Sequence, residues 1–283
     1  MKLATIRHDG TTTAALVVDG GYRPLPAHNL SDLLALPEWK GIVREATSVQ
    51  GGPAIIPAAD ATLLNPVPAP GKVICCGLNY SDHIREMGRE LPEYPTLFAK
   101  FADTLTDPDA QIVADESVDL DWEAELAVVV GTTLKDASED EAAAAIAGYT
   151  VANDVSMRHW QRRTLQWFQG KAFDATTPLG PVMVTADSID PEAGLEVICA
   201  VNGEVLQRGN TKTLVFSAAK LLAYISTFTV LRPGDVVLTG TPGGVGMGMV
   251  PPRFLKDGDE MTTEIPGIGT LTNRITLRVN ATL

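Results

Sequence analysis

Basic residues are scarce in this chain: 22 lysines and arginines stand against 35 aspartates and glutamates, a net charge of −13 over 283 residues. Such an acidic balance leaves no broad basic surface for a phosphate backbone and excludes nucleic-acid binding as the main task. It does not exclude a small anionic substrate, because charge beyond about 8 Å is screened at physiological salt and local cations decide. Cysteine is rare too. Cys75 and Cys76 are adjacent, Cys199 is remote, and no C-x-x-C spacing occurs. An odd set of this kind reads as reduced thiols in a cytoplasmic protein, with Cys75 and Cys76 on a buried strand. The four histidines are scattered singly, which argues against a Cys/His zinc site. There is no internal repeat, no G-x-S-x-G elbow and no H-E-x-x-H helix. Met1-Lys-Leu-Ala is followed by polar and charged residues, so no signal peptide is expected. Residues 214–231 form the longest apolar stretch. Lys220 and several hydroxyl side chains interrupt it, so a core helix running into a loop is expected there and no membrane span.

What is present suits a globular protein with a large core, at 45% hydrophobic and 20% charged residues. Residues 3–7 and 13–18 alternate as two strands around the turn Asp9-Gly10. Asn29 or Ser31 caps a short helix that stops at Pro37, and a second helix covers 40–48. The stretch 51–70 is rich in Pro, Ala and Gly and reads as a linker, with a boundary near residue 68. That division gives a small N-terminal α+β unit with its linker over 1–68, then a second unit over 69–283. Val73 to Cys76 is a buried strand, followed by a turn or two of helix from Ser81 or Asp82 to Gly88. Ser138 and Glu141 form a capping box for a helix over 138–147, with Gly148 expected as its C-terminal cap. From Leu195 onward the pattern is strand-rich, with a helix over 216–227 and a hairpin over 259–279.

Chemistry enters with Asp119 to Gly131, an apolar, β-branched stretch read as a strand. Period-two alternation puts Glu123 and Glu125 on one face and Ala124, Leu126, Val128 and Val130 on the other. Two neighbouring carboxylates mark either a solvated face or a site that a proton, a basic partner or a cation completes. His83 and Glu86, at i and i+3, share a helical face, either as an ordinary ion pair or as an oriented base. Asp154 ends a short apolar strand. Three carboxylates without a histidine ligand suit a hard divalent cation: Mg²⁺, Mn²⁺ or Ca²⁺. Lys171, in a turn-rich run, is either a surface lysine or one held near a developing oxyanion. The Gly-rich loop 241–248 lacks both nucleotide-binding spacings and is followed by Pro251-Pro252, so it reads as backbone that approaches a small ligand closely.

Taken in order, these pieces resemble the fumarylacetoacetate hydrolase family. The resemblance rests on Gly77-Leu-Asn-Tyr-Ser-Asp-His83 with Glu86, Asp121-Trp-Glu-Ala-Glu125, Asn153-Asp154-Val-Ser, Gly170-Lys171-Ala-Phe-Asp with Pro178-Leu-Gly-Pro181, and Thr239-Gly-Thr-Pro-x-Gly-Val-Gly246. It implies an α+β, β-rich fold with a mixed β-roll or β-sandwich catalytic domain, a small N-terminal domain and a homodimer. It also implies that Glu123, Glu125 and Asp154 hold the metal, that His83 and Glu86 form a base dyad on a lid, and that Lys171 steadies oxyanions. Tyr80, Arg158, Gln161 and Thr241 fall in segments that line the family's pocket. One departure is His159, where many members carry an acidic residue.

The activity so implied is metal-dependent hydrolysis of a C–C bond in an acylpyruvate such as fumarylpyruvate, a step of aromatic catabolism in the cytoplasm. His83 would activate water for attack on the distal carbonyl, and pyruvate would leave as its enolate. Arg85 and Arg89, on or next to the lid, could meet a distal carboxylate. Decarboxylation of oxaloacetate and isomerisation of a hydroxymuconate-type diacid use the same enolate and are the alternatives. A non-catalytic binding protein is the reading from outside enzymology. The expected partner is a small anionic 2-oxo acid, with no nucleic acid and no membrane.

Overall fold

The computed structural model describes residues 1–48, 53–86, 88 and 90–279, without the side chains of Ser48, His83 and Glu86. A large mixed sheet dominates. Its strands run in the order Ile56–Pro57, Gly21–Pro24, Thr11–Val18, Lys2–His8, Thr177–Thr185, Ile146–Asn153, Ala124–Val130, Val236–Leu238, Val73–Gly77 and Thr96–Lys100. A second sheet orders Glu204–Asn210, Glu196–Val201, Glu260–Ile265, Gly269–Arg278 and Ile112–Asp115. Helices are few and short; Ala218–Phe228 has 11 residues. The fold is therefore α+β and β-rich. Among the described residues no helix is long and apolar enough to cross a membrane.

The strand Ala124–Val130 lies near the middle of the large sheet and is buried on both faces. Ala124, Leu126, Val128 and Val130 enter one apolar core, while Ala127 and Val129 enter another. Glu125 shares the parity of the second set, so a carboxylate sits in a row of core positions. Residues 1–68 contribute strands that continue the same sheet: Lys2 and Leu3 pair with Val184 and Met183. Leu3, Ala14 and Leu33 share the second core with Ala127, Val129 and Met183.

Local expectations fare differently from one element to the next. Asn29 caps Leu30–Ala35, its side chain accepting from the Asp32 N–H. The Ser138–Glu141 capping box is present. The helix after it is shorter than the pattern suggested, Glu139–Ala144 with Ala145 as C-cap, and Gly148 is no cap. Gly148 lies inside Ile146–Asn153, where a Cβ would stand 2.2 Å from the Val184 carbonyl oxygen. Close approach of two strands explains this glycine; helix termination does not.

Candidate active site

The site begins where the central strand does. Glu123 immediately precedes Ala124–Val130, Glu125 is its second residue, and Asp154 directly follows the adjacent antiparallel strand Ile146–Asn153. Asn153 Oδ1 accepts from the Glu123 N–H, and the Asp154 N–H donates to the Glu123 carbonyl, which locks the two strand ends together. One carboxylate oxygen from each of Glu123, Glu125 and Asp154 lies within 4.8 Å of the others. The three acids expected from the sequence to form one centre do converge.

They are not alone. Lys171, 1% exposed, bridges Glu123 Oε2 at 2.8 Å and Asp154 Oδ2 at 2.6 Å. Lys100 Nζ, fully buried at the end of Thr96–Lys100, takes the other Asp154 oxygen at 2.5 Å. Arg158 Nη2 pairs with Glu123 Oε1 at 2.6 Å, while its Nε donates to Asp121 Oδ2 at 2.8 Å and its Nη1 to Gln161 Oε1 at 2.8 Å. Asp121 also accepts from the Gly246 and Met247 N–H groups, which ties Arg158 to the Gly-rich loop. The Phe98 ring lies 5.1 Å from Lys171 Nζ and closes the lysine from solvent.

Charges in this network follow from its contacts. Burial alone would raise the Asp154 pKa, yet Lys100 and Lys171 overcome it and hold the carboxyl below its usual value. Burial likewise opposes the Lys171 charge, and Asp154 with Glu123 outweighs it, so the ammonium persists. Arg158 is held charged by Glu123 and Asp121. Glu125 is the exception. Burial, then Asp154 and Glu123, push its pKa well up, against Lys171 and one 2.6 Å hydrogen bond from the Gly240 N–H. Four carboxylates thus face three cationic side chains, and the uncompensated charge falls on Glu125. A divalent cation fits that donor set: oxygen-only, anionic by one and convergent.

The other expected residues are distributed around this centre. Tyr80 is buried beside Glu125, and its hydroxyl has no partner among the described residues. An unpaired buried hydroxyl costs about 1–3 kcal/mol, which a substrate oxygen could relieve. Gln161 stands behind Arg158. Thr241 Oγ1 donates to the Ala124 carbonyl and accepts from Gln207 Nε2, so only one lone pair is free for a ligand. The backbone of His83 and Glu86 lies in the helix Ser81–Glu86, but their side chains, and Arg89 altogether, are outside the described residues. Asn79 anchors the base of that helix. Its side chain donates to the Phe216 and Thr239 carbonyls and accepts from the Phe216 N–H.

Lys100 and Asp121 were not legible as a network. Lys100 ends a five-residue strand, a position that usually points a lysine at water, and its only signal is the apolar run before it. Asp121 lies in the Asp121–Glu125 motif, but three of its four acceptor contacts come from residues 37, 125 and 126 positions away.

Residues 72–276 match the family model described as fumarylacetoacetate (FAA) hydrolase C-terminal. The chain belongs to the fumarylacetoacetate hydrolase family. It is 46% identical over 237 residues to the mitochondrial oxaloacetate tautomerase FAHD2A of Bos taurus, covering 83% of this chain and 75% of that one. Among solved structures it resembles a fumarylacetoacetate hydrolase from Exiguobacterium antarcticum, with a TM-score of 0.84, 34% identity, and coverage of 98% of this chain and 100% of the other. It also resembles a 5-carboxymethyl-2-hydroxymuconate delta-isomerase from Mycobacterium smegmatis, with a TM-score of 0.80, 32% identity and the same coverages. These are enzymes of one fold and several activities, so membership makes the chain an enzyme of the family and leaves its reaction to be argued.

Proposed function

We propose that the chain catalyses keto–enol tautomerisation of a 2-oxo dicarboxylate, oxaloacetate first, at a Mg²⁺- or Mn²⁺-dependent centre. The observation that carries this reading is the convergence of Glu123, Glu125 and Asp154 with one negative charge in excess, beside two buried lysines. The choice of oxaloacetate is supported by the likeness to the tautomerase of Bos taurus.

A divalent metal held by the three carboxylates would supply a positive centre that polarises a keto oxygen. The remaining work belongs to side chains. His83, with Glu86 three residues on, is assigned removal of a proton from C3 of the substrate and its return to the C2 oxygen, so the reaction is proton-neutral. The Lys171 ammonium, kept charged by Asp154 and Glu123, offsets negative charge on that oxygen. Arg158, fixed by Asp121 and Gln161, holds Glu123 in position through its Nη2. The Tyr80 hydroxyl, buried and unpaired, offers a further donor.

Hydrolysis of an acylpyruvate such as fumarylpyruvate is the second reading, favoured by the His83–Glu86 spacing and the likeness to the hydrolase of Exiguobacterium antarcticum. The experiment follows the enol absorbance of oxaloacetate and of a panel of acylpyruvates, with CO₂ and pyruvate measured in parallel, with and without chelator. Metal-dependent loss of the oxaloacetate enol, faster than with free metal and without matching CO₂, supports tautomerisation. Turnover confined to acylpyruvates replaces it with hydrolysis, and CO₂ in step with enol loss replaces it with decarboxylation.

A further inference from the structure

The strand Glu204–Asn210 lies at the edge of the second sheet, and Gln207 is the one residue of it that is buried. Packing alone would put an apolar side chain there, because a buried amide is costly unless its N–H and C=O groups find partners. Gln207, 0% exposed, meets three groups. Its Oε1 accepts from the Ala124 N–H at 3.0 Å. Its Nε2 donates to Thr241 Oγ1 at 2.9 Å and to the Pro242 carbonyl at 3.0 Å. Thr241 Oγ1 in turn donates to the Ala124 carbonyl at 2.9 Å. Ala124, Gln207 and Thr241, from two sheets and the Gly-rich loop, thus close a hydrogen-bonded ring.

Ala124 stands between Glu123 and Glu125. Its N–H belongs to the peptide plane shared with the first, its C=O to the plane shared with the second. Holding both planes fixes the directions in which the two glutamates leave the backbone. The flanking contacts act in the same sense. The Glu123 N–H donates to Asn153 Oδ1, and Asn153 Nδ2 donates to Thr263 Oγ1 of the second sheet at 2.9 Å. Gly240, next to Thr241, donates its N–H to Glu125 Oε2. The loop itself lies hard against the strand that carries Gln207: at Gly244, with φ at +97°, a Cβ would stand 2.2 Å from the Leu206 carbonyl oxygen. Gln207 hydrogen-bonds none of the three acids among the described residues, so it can act on them only through Ala124 and the loop.

We propose that Gln207 is a positioning residue of the carboxylate centre: through this ring it fixes Glu123 relative to Glu125 and makes the centre select Mg²⁺ over Ca²⁺. The proposal rests on the reading of that centre as a metal site. Mg²⁺ demands near-octahedral oxygen ligands at about 2.0–2.1 Å, whereas Ca²⁺ accepts a looser set at about 2.3–2.6 Å. Stiff ligands therefore favour the smaller ion, and ligands allowed to spread favour the larger. Partners behind the ligands commonly set metal affinity in this way.

The test is calorimetric titration of the chelator-treated, intact protein with Mg²⁺ and, separately, with Ca²⁺, repeated on Gln207→Met and Thr241→Val. The first variant keeps the side-chain length and removes the amide; the second opens the ring at a half-buried residue, so it should fold even if the buried glutamine tolerates change poorly. Circular dichroism and the urea midpoint check both. Each variant is expected to weaken Mg²⁺ binding by about tenfold or more and Ca²⁺ binding by less, so the ratio of the two affinities falls. A purely structural glutamine would lower the urea midpoint and leave that ratio as it was. An unchanged ratio in a folded variant, with the parent protein binding Mg²⁺, overturns the role of Gln207 alone. A parent that binds neither ion overturns the metal centre itself, and this proposal with it.

Discussion

At Lys100 a fully buried ammonium meets one oxygen of Asp154 while Lys171 meets the other. Removing one member of a buried ion pair costs about 3–5 kcal/mol, because its partner stays behind uncompensated. Lys100→Met should therefore lower metal-free stability by about that much, read by urea unfolding. It also makes the cluster more negative, so added Mg²⁺ should recover more stability in the variant than in the parent. An equal gain in both would detach Lys100 from the metal centre. Glu125 answers to pH. Its pKa is raised, so the folded state keeps the proton longer than the unfolded chain. Metal-free stability should then decline as pH rises from about 4.3, the ordinary glutamate value, through the folded one. Asp154, with a lowered pKa, acts oppositely: its contribution is present above about 3.9 and is lost as pH falls through its folded value. Thermal unfolding in chelator across pH reads both, and Glu125→Gln should flatten the decline on the alkaline side. At this scale the acids could be read from the sequence because their spacing and strand-end positions are local. Lys171 and Arg158 could be named as site residues, but their pairing with these acids, and Lys100 altogether, could not be read, since Lys100 and Arg158 meet their partners across 54 and 37 residues.

Elements were legible where capping or alternation is written in adjacent residues, as in the Ser138–Glu141 box and the turn at Asp9-Gly10. They were misread where one residue type serves two purposes. Gly148 fits a helix C-cap by sequence, yet it sits in a strand because the Val184 carbonyl leaves no room for a Cβ. Gly148→Ala must push that carbonyl aside, and a loss of about 1–3 kcal/mol is expected for such overpacking, measured by denaturant midpoint. The short helix Ser81–Glu86 depends on Asn79, whose amide holds both Phe216 and Thr239. Asn79→Ala should raise KM for the 2-oxo acid by a larger factor than it weakens metal binding, because the metal carboxylates hang from other strands and only Glu125 is reached, through Thr239 and Gly240. Calorimetric Mg²⁺ titration beside steady-state kinetics separates the two, and a parallel loss of metal affinity would count against this division.

Across the whole molecule, the large sheet brings together segments that no local pattern could order. Lys2–His8 pairs with Thr177–Thr185, and Val236–Leu238 lies parallel to Val73–Gly77. Individual strands were readable; their neighbours were not, because pairing over such separations is a property of the closed fold. That arrangement fixes when the metal centre can come into being. The Glu125 carboxylate accepts a hydrogen bond from the Gly240 N–H, 115 residues later in the chain. Such distant contacts form late, after the entropy of the intervening loop has been lost. A ribosome would thus have released the acids long before it released the residue that orients them. Mg²⁺ should therefore leave the refolding rate nearly unchanged and slow unfolding, as expected for contacts absent from the transition state. Stopped-flow refolding and unfolding, each with and without chelator, would read the two limbs separately.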